Sequence, residues 1–261
     1  MKPFFAHEFP ILMAHRGSRV LWPENTMTAF QGAIDLGFRY LETDLHATAD
    51  GVLVCFHDDT LDRTTDATGQ VVHRTFAELA RIDAGYRHDP MGGFPFRGNG
   101  VRAPSLEEVA TAFPDALFTL DLKQSGIEHL LVEAIDRLKL HDRVIVGSFK
   151  DRRIARFRKL AGPSVASSAG PWEVRALWMA SRVGRSLNVR ADALQVPVTY
   201  GRTTVVDARL VHAAHAVGKQ VHVWTVNEPD QMRHLLDLGV DALISDRADI
   251  LPQVVQDHLG R

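Results

Sequence analysis

Short apolar runs rich in Val, Ile and Leu recur along this chain, and between them lie longer stretches whose apolar residues return every three to four positions. That alternation predicts strands and helices in turn, as in an α/β parallel sheet with crossover helices. Strand-like runs fall at residues 11–15, 40–45, 117–122, 143–148, 163–167, 193–196, 220–224 and 241–245. Helix-period segments fall near residues 25–36, 105–113, 127–138, 151–160, 172–182, 207–217, 229–238 and 249–258. Eight of each is the inventory of a (β/α)₈ TIM barrel, and 261 residues suffice for one such domain over residues 1–261.

One apolar run, residues 52–57, is left over. It follows the second strand after Asp50-Gly51, a dipeptide that favours a two-residue type I′ turn, so a hairpin is expected instead of a crossover. Pairing Ala49 with Val52 sets His57 across from Asp44, and a slip of one residue would aim His57 at the other face. From there to about residue 104 the chain is polar and broken by glycines, which predicts an insertion after strand 2, approximately 59–104. A long excursion at the C-terminal end of a barrel strand is where substrate-contacting loops belong.

Composition narrows the picture little: 45% hydrophobic, 24% charged and a formal net charge of −2 are those of an ordinary globular chain. No basic field invites nucleic acid. The single cysteine, Cys55, forms no intrachain disulfide and reads as a small apolar residue in a reducing compartment. No apolar stretch has the length of a signal peptide core or a membrane span, so a cytoplasmic protein without stable membrane insertion is expected. Oligomeric state leaves no mark in the sequence.

The C-terminal ends of the expected strands carry the active site in barrel enzymes, and here they are crowded with charge. Strand 1 ends in His15-Arg16-Gly17, strand 2 bears Glu42 and Asp44, the hairpin ends in His57 and Asp58, and strand 3 bears Asp121 and Lys123. Glu42 and Asp44 are two apart and so share a face, with Asp121 on the next strand. Three convergent carboxylates repel unless a cation joins them, and an all-oxygen set suits one divalent ion, Mg²⁺, Ca²⁺ or Mn²⁺. His15 and His57 suit general acid and base work, in either assignment, while Arg16 and Lys123 suit the charge of a phosphodiester. Trp224 closes strand 7 as an apolar wall of the mouth. Asn25 reads as a helix cap, Asp246 as a polar residue at the ring closure, and the basic run from Arg152 to Lys159 as a solvated helix face.

Taken in order, Ala14-His15-Arg16-Gly17, Pro23-Glu24-Asn25-Thr26, Glu42-Thr43-Asp44 and His57-Asp58 resemble the opening motifs of the glycerophosphodiester phosphodiesterases. Ala103-Pro104-Ser105-Leu106-Glu107-Glu108, Asp121-Leu122-Lys123, Trp224-Thr225-Val226-Asn227 and Ser245-Asp246-Arg247 resemble the later ones, so the match runs nearly the length of the chain. The resemblance implies a (β/α)₈ barrel that hydrolyses glycerophosphodiesters to glycerol 3-phosphate and an alcohol. It implies a metal held by Glu42, Asp44 and Asp121, catalytic His15 and His57, and phosphate contacts from Arg16 and Lys123. One departure stands out: the family more usually has Glu where this chain has Asp121.

Two rival readings share the barrel. A lysophospholipase D-like enzyme would take amphipathic diesters, with Phe94, Pro95 and Phe96 holding an acyl chain or simply packing the insertion. A non-catalytic barrel would bind phosphodiesters without turning them over.

Overall fold

The eight apolar runs become the eight parallel strands of a barrel in a computed structural model that describes residues 2–6, 9–89 and 91–260. The barrel strands are β1 (Ile11–Ala14), β2 (Tyr40–Ala47), β4 (Leu117–Leu122), β5 (Val144–Gly147), β6 (Ala166–Ser167), β7 (Ala193–Pro197), β10 (Gln220–Trp224) and β11 (Ala242–Ser245). The remaining strands are β3 (Leu53–Cys55), which pairs with β2 antiparallel, and a small hairpin of β8 (Thr199–Tyr200) and β9 (Thr203–Thr204). The sheet runs β6-β5-β4-β2-β1-β11-β10-β7, and the ring closes between its ends through one parallel bridge, Ser168 to Ala193.

Eight helices follow the expected order, and a ninth, α2, falls unexpectedly in the segment after β3: α1 (Met27–Asp35), α2 (Phe76–Leu79), α3 (Leu106–Ala112), α4 (Glu128–Arg137), α5 (Asp151–Ala161), α6 (Pro171–Arg182), α7 (Ala208–His215), α8 (Pro229–Asp237) and α9 (Leu251–Leu259) among the described residues. Their apolar stripes meet the outward strand residues, such as Leu41, Phe118 and Leu120, in one continuous shell. Inward residues form a second cluster: Ile11, Met13, Tyr40, Leu117, Ile145 and Ile244, with Phe4 and Phe5 at the end from which the strands start. Tyr40 donates to the Phe4 carbonyl at 2.7 Å.

Strand periodicity then does the positioning. On β2 the inward series is Tyr40, Glu42, Asp44, and on its partner β4 it is Leu117, Thr119, Asp121, with each pair in register. Both series start apolar and end charged, so the core at one end of the barrel gives way to acids at the other.

Three expectations need correction. Strand 1 stops at Ala14, because His15–Gly17 turn into a short 3₁₀ segment with Arg16 at φ 52° and Gly17 at φ 76°. The hairpin is shifted by one residue: Leu45 faces Cys55 and His46 faces Val54. Its loop has three residues instead of two, with Gly51 at φ 81° after a tight turn closed by Gly51 N–H to the Thr48 carbonyl (3.0 Å). That register places Phe56 beside Asp44, its N–H donating to the Asp44 carbonyl at 2.9 Å. Helix α1 is capped by Thr26, whose hydroxyl accepts from Ala29 N–H, and not by Asn25. The segment between β3 and α3 makes a small core of its own with the hairpin, from Val54, Phe56, Leu61, Val71, Leu79 and Ala103.

Candidate active site

At the carboxyl ends of β1, β2 and β4 a cavity of about 880 Å³ opens, lined at one end by His15, Arg16, Glu42, Asp44, His57, Asp121 and Lys123. All seven residues expected to serve acid–base, phosphate or metal roles meet there, and Trp224 lines the same cavity. Trp224 packs edge-on against Phe149, ring centroids 5.3 Å apart, and the Lys123 ammonium lies 4.8 Å from the Phe149 ring centre. The apolar wall expected of Trp224 is therefore made by two rings.

Each histidine is oriented by a carboxylate. His15 Nδ1 is 2.6 Å from Asp246 Oδ1, and His57 Nδ1 is 2.5 Å from Asp58 Oδ1, which leaves both Nε2 atoms free of that contact. Asp246 is fully buried and also accepts from Asn227 Nδ2 and, through an ion pair, from Arg19 Nε, both at 2.9 Å. Its own pKa is held down to about 2: burial opposes this, and the contacts to His15, Asn227 and Arg19 prevail. Burial is also the largest influence on both imidazoles. It lowers His57 below its ordinary value, whereas Glu42 and Asp246 outweigh it at His15 and raise that ring.

The acids are neutralised by cations of the chain itself. Lys123 Nζ lies 2.9 Å from Asp44 Oδ1 and 2.5 Å from Asp121 Oδ2, and Arg16 Nε lies 3.1 Å from Asp44 Oδ2. Among the described residues no group of three or more His, Cys, Asp or Glu side chains is arranged to hold a metal ion. Glu42, Asp44 and Asp121 line the same mouth, and Lys123 bridges two of them, Asp44 and Asp121. Their chemistry still fits a hard cation. All donors are oxygen, Asp44 and Asp121 are register partners, and Glu42 is raised well above the usual carboxylate range by burial and by Asp44. Asp44 itself is lowered, since Lys123 and Arg16 overcome its burial, and Asp121 is raised chiefly by burial.

Arg16 sits in left-handed backbone at φ 52°, a strained setting for a side chain of its size. It is held there from both ends: its N–H donates to Glu42 Oε2 at 3.0 Å, and its guanidinium donates to Glu24 Oε1 at 2.9 Å. Glu24 in turn receives Arg63 Nη1 and Nη2 at 2.9 and 2.6 Å, and Arg63 Nε reaches Asp58 at 2.6 Å. An unbroken ionic chain thus runs from His57 through Asp58, Arg63, Glu24, Arg16, Asp44 and Lys123 to Asp121.

Several of these partners escaped sequence reasoning. Asn25, read as a cap, is buried at φ 56°, donates to Asp44 Oδ2 at 2.9 Å and accepts from the Thr43 hydroxyl at 2.7 Å. Asp246 was legible in principle: in a closed ring strand 8 lies beside strand 1, so its end must meet His15. Arg63 carried no signal at all. It belongs to the polar segment expected to touch substrate, yet no described residue of 59–104 lines the cavity. The segment acts on the site through Arg63. Phe94 and Phe96 also pack within it, Phe94 under the Arg97 guanidinium (3.7 Å) and Phe96 edge-on to His88 (5.2 Å).

A profile of the glycerophosphoryl diester phosphodiesterase family matches residues 15–250. The chain belongs to this family. A probable glycerophosphodiester phosphodiesterase 2 of Mycobacterium tuberculosis is 38% identical over 262 residues, covering 97% of this chain and 93% of that protein. A glycerophosphodiester phosphodiesterase of Caldanaerobacter subterraneus is 30% identical, covering 94% and 98%. A solved structure of a putative member from Silicibacter pomeroyi superposes with a TM-score of 0.79 at 26% identity, covering 98% of this chain and 96% of that one. The family's barrel is the fold found here. No helix among the described residues is long and apolar enough to cross a membrane.

Proposed function

We propose that this protein hydrolyses glycerophosphodiesters to glycerol 3-phosphate and an alcohol, dividing the proton transfers between His15 and His57. The observation that carries the reading is the pair of imidazoles in one cavity, each with Nδ1 fixed by a carboxylate, beside Arg16 and Lys123. A carboxylate on Nδ1 fixes ring orientation and leaves Nε2 to take or give a proton. Arg16 and Lys123 supply positive charge for the phosphodiester and for the charge that grows at phosphorus.

In the reaction one imidazole takes the proton of the nucleophile, whose oxygen bonds to phosphorus. The bond from phosphorus to the alcohol oxygen breaks, and the other imidazole returns a proton to that oxygen. The nucleophile is either water or the neighbouring glycerol hydroxyl, the latter giving a cyclic phosphate that water then opens. Glu42, Asp44 and Asp121 would hold one divalent ion, Mg²⁺, Ca²⁺ or Mn²⁺, which when bound would supply further positive charge for the phosphodiester. The single buried cysteine supports action in a reducing compartment such as the cytoplasm.

The test is release of glycerol 3-phosphate from glycerophosphocholine, with chelator and then with each ion restored. Release that stops in EDTA and returns with an ion is the expected outcome; full turnover in chelator refutes the metal. His15→Ala and His57→Ala should each lower kcat by about 10²- to 10⁴-fold with the circular dichroism spectrum unchanged. Binding without product, in folded wild-type protein with metal present, would instead support a non-catalytic barrel.

A further inference from the structure

Part of the rim around the barrel mouth carries large apolar side chains that nothing in the chain covers. Phe149 follows β5, Trp172 opens α6, Met179 lies two turns further along that helix, and Tyr200 sits at the tip of the β8–β9 hairpin. They are 55%, 66%, 57% and 80% exposed. Phe149, Met179 and Tyr200 edge the cavity, while Trp172 stands outside it, with the Arg175 guanidinium 5.5 Å from its ring centre. Two contacts join these connections into one surface. Trp172 N–H donates to Asp151 Oδ1 at 3.0 Å, linking the starts of α5 and α6, and Trp178 Nε1 donates to the Thr204 carbonyl at 3.2 Å, linking α6 to the hairpin.

Charge narrows what this surface meets. Lys150, Arg152, Arg175 and Arg202 are exposed on the same connections, and among the described residues none of the four makes an ion pair. By contrast, the exposed Arg137 and Arg156 are held by Glu107 and Glu128. The rim's own acids are occupied: Asp151 accepts from Trp172 N–H, Glu173 is held by Arg158 at 2.8 Å, and neither is fully exposed. In a chain of net charge −2, this rim therefore presents uncompensated positive charge interleaved with apolar tips.

We propose that the rim from Phe149 to Arg202 docks the protein reversibly on an anionic lipid surface. Indole and phenol side chains settle at headgroup level, and Lys and Arg beside them are drawn to lipid phosphate, so the two sets of residues fit one occupant. A nucleic acid would be served by cations along a continuous track, whereas these stand on separate connections with aromatic and Met side chains between them. Docking goes beyond the hydrolase reading and does not depend on it. It would hold the mouth of the barrel beside the lipid headgroups.

The experiment is flotation of the purified protein with phosphatidylcholine vesicles, with and without phosphatidylglycerol. The protein should float with the anionic vesicles and not with the neutral ones, and added salt should release it. A cation near an anionic surface contributes roughly fivefold to partitioning, so Lys150→Glu with Arg202→Glu should lower the partition coefficient by about tenfold or more. Trp172→Ser should lower it by about fivefold. Lys139→Glu with Lys219→Glu, an equal change of charge at the end where the strands start, should leave it unchanged. None of these residues is buried or lines the cavity, so circular dichroism should be the same for every variant. Vesicle binding is read without turnover, so it stands or falls apart from the hydrolase reading. No flotation with anionic vesicles, rim variants that float like the wild type, or a control pair as damaging as the rim pair overturns the docking surface. Capture of an oligothymidylate in place of vesicles also overturns it and gives the rim to a nucleic acid.

Discussion

At the scale of single residues, the site depends on a loop that few sequences could follow. Arg16, Gly17 and Ser18 all have positive φ, at 52°, 76° and 75°, and together they carry the chain from β1 back under the mouth so that Arg16 can span Glu24, Glu42 and Asp44. Gly17 is required there twice over. A Cβ on it would sit 2.7 Å from the carbonyl carbon and from the Cβ of Ala29, and its φ is one that side chains resist. Gly17→Ala should therefore destabilise the fold by about 2 kcal/mol or more, read as a lower urea midpoint. Gly51 makes the contrast. It has a similar φ of 81°, but a Cβ there would meet nothing within 4 Å, so only the smaller conformational cost, about 1 kcal/mol, applies to Gly51→Ala. A Gly17 variant no less stable than the Gly51 variant would contradict the packing argument.

At the scale of elements, the long segment between β3 and α3 reaches the site without touching the cavity. Its small core, with Leu61, Val71 and Leu79, anchors it to the back of the hairpin, and from that platform Arg63 joins Asp58 to Glu24. The guanidinium thereby orients His57 through one acid and Arg16 through the other. Arg63→Ala is expected to lower kcat by about tenfold or more with a smaller change in KM, since it removes alignment and not a substrate contact. Arg63→Lys should recover little, because one ammonium does not reproduce the fork that holds two carboxylates. Steady-state kinetics checks this; a variant with KM raised and kcat unchanged would mean that Arg63 meets the substrate itself.

At the scale of the whole molecule, the barrel's interior has an acid-sensitive element below the active mouth. His222 on β10 is fully buried, with Nε2 at 2.9 Å from Gln220 Oε1 and its ring 6.1 Å from that of Phe5, and burial pushes its pKa down to about 3. The unfolded chain takes up this proton near pH 6.5, where the native protein refuses it. Stability from this group is therefore complete above about pH 6.5 and falls as pH drops toward 3, by up to about 1.4 kcal/mol per pH unit. His222→Gln should flatten the decline, measured as the difference in urea midpoints between pH 7 and pH 4 for the two proteins. Equal declines would show that His222 does not govern it.

The sequence by itself determined the barrel, because eight β-branched runs separated by helix-period segments have few other ways to bury their apolar faces. It also determined which side chains crowd the mouth, since strand alternation puts Glu42, Asp44 and Asp121 on the inner face whatever the loops do. Tertiary structure alone decided which charge meets which. That Lys123 lies between Asp44 and Asp121, that Asn25 turns inward to Asp44, and that Arg63 joins His57's acid to Arg16's acid all follow from distances across separate elements. The one-residue shift of the hairpin belongs with these. A local dipeptide suggested one turn, and the chain took another in which Phe56 packs into the small core while His57 still reaches the cavity. Periodicity is a property of one element and can be read along the chain; partner choice is a property of two and appears only when they are brought together.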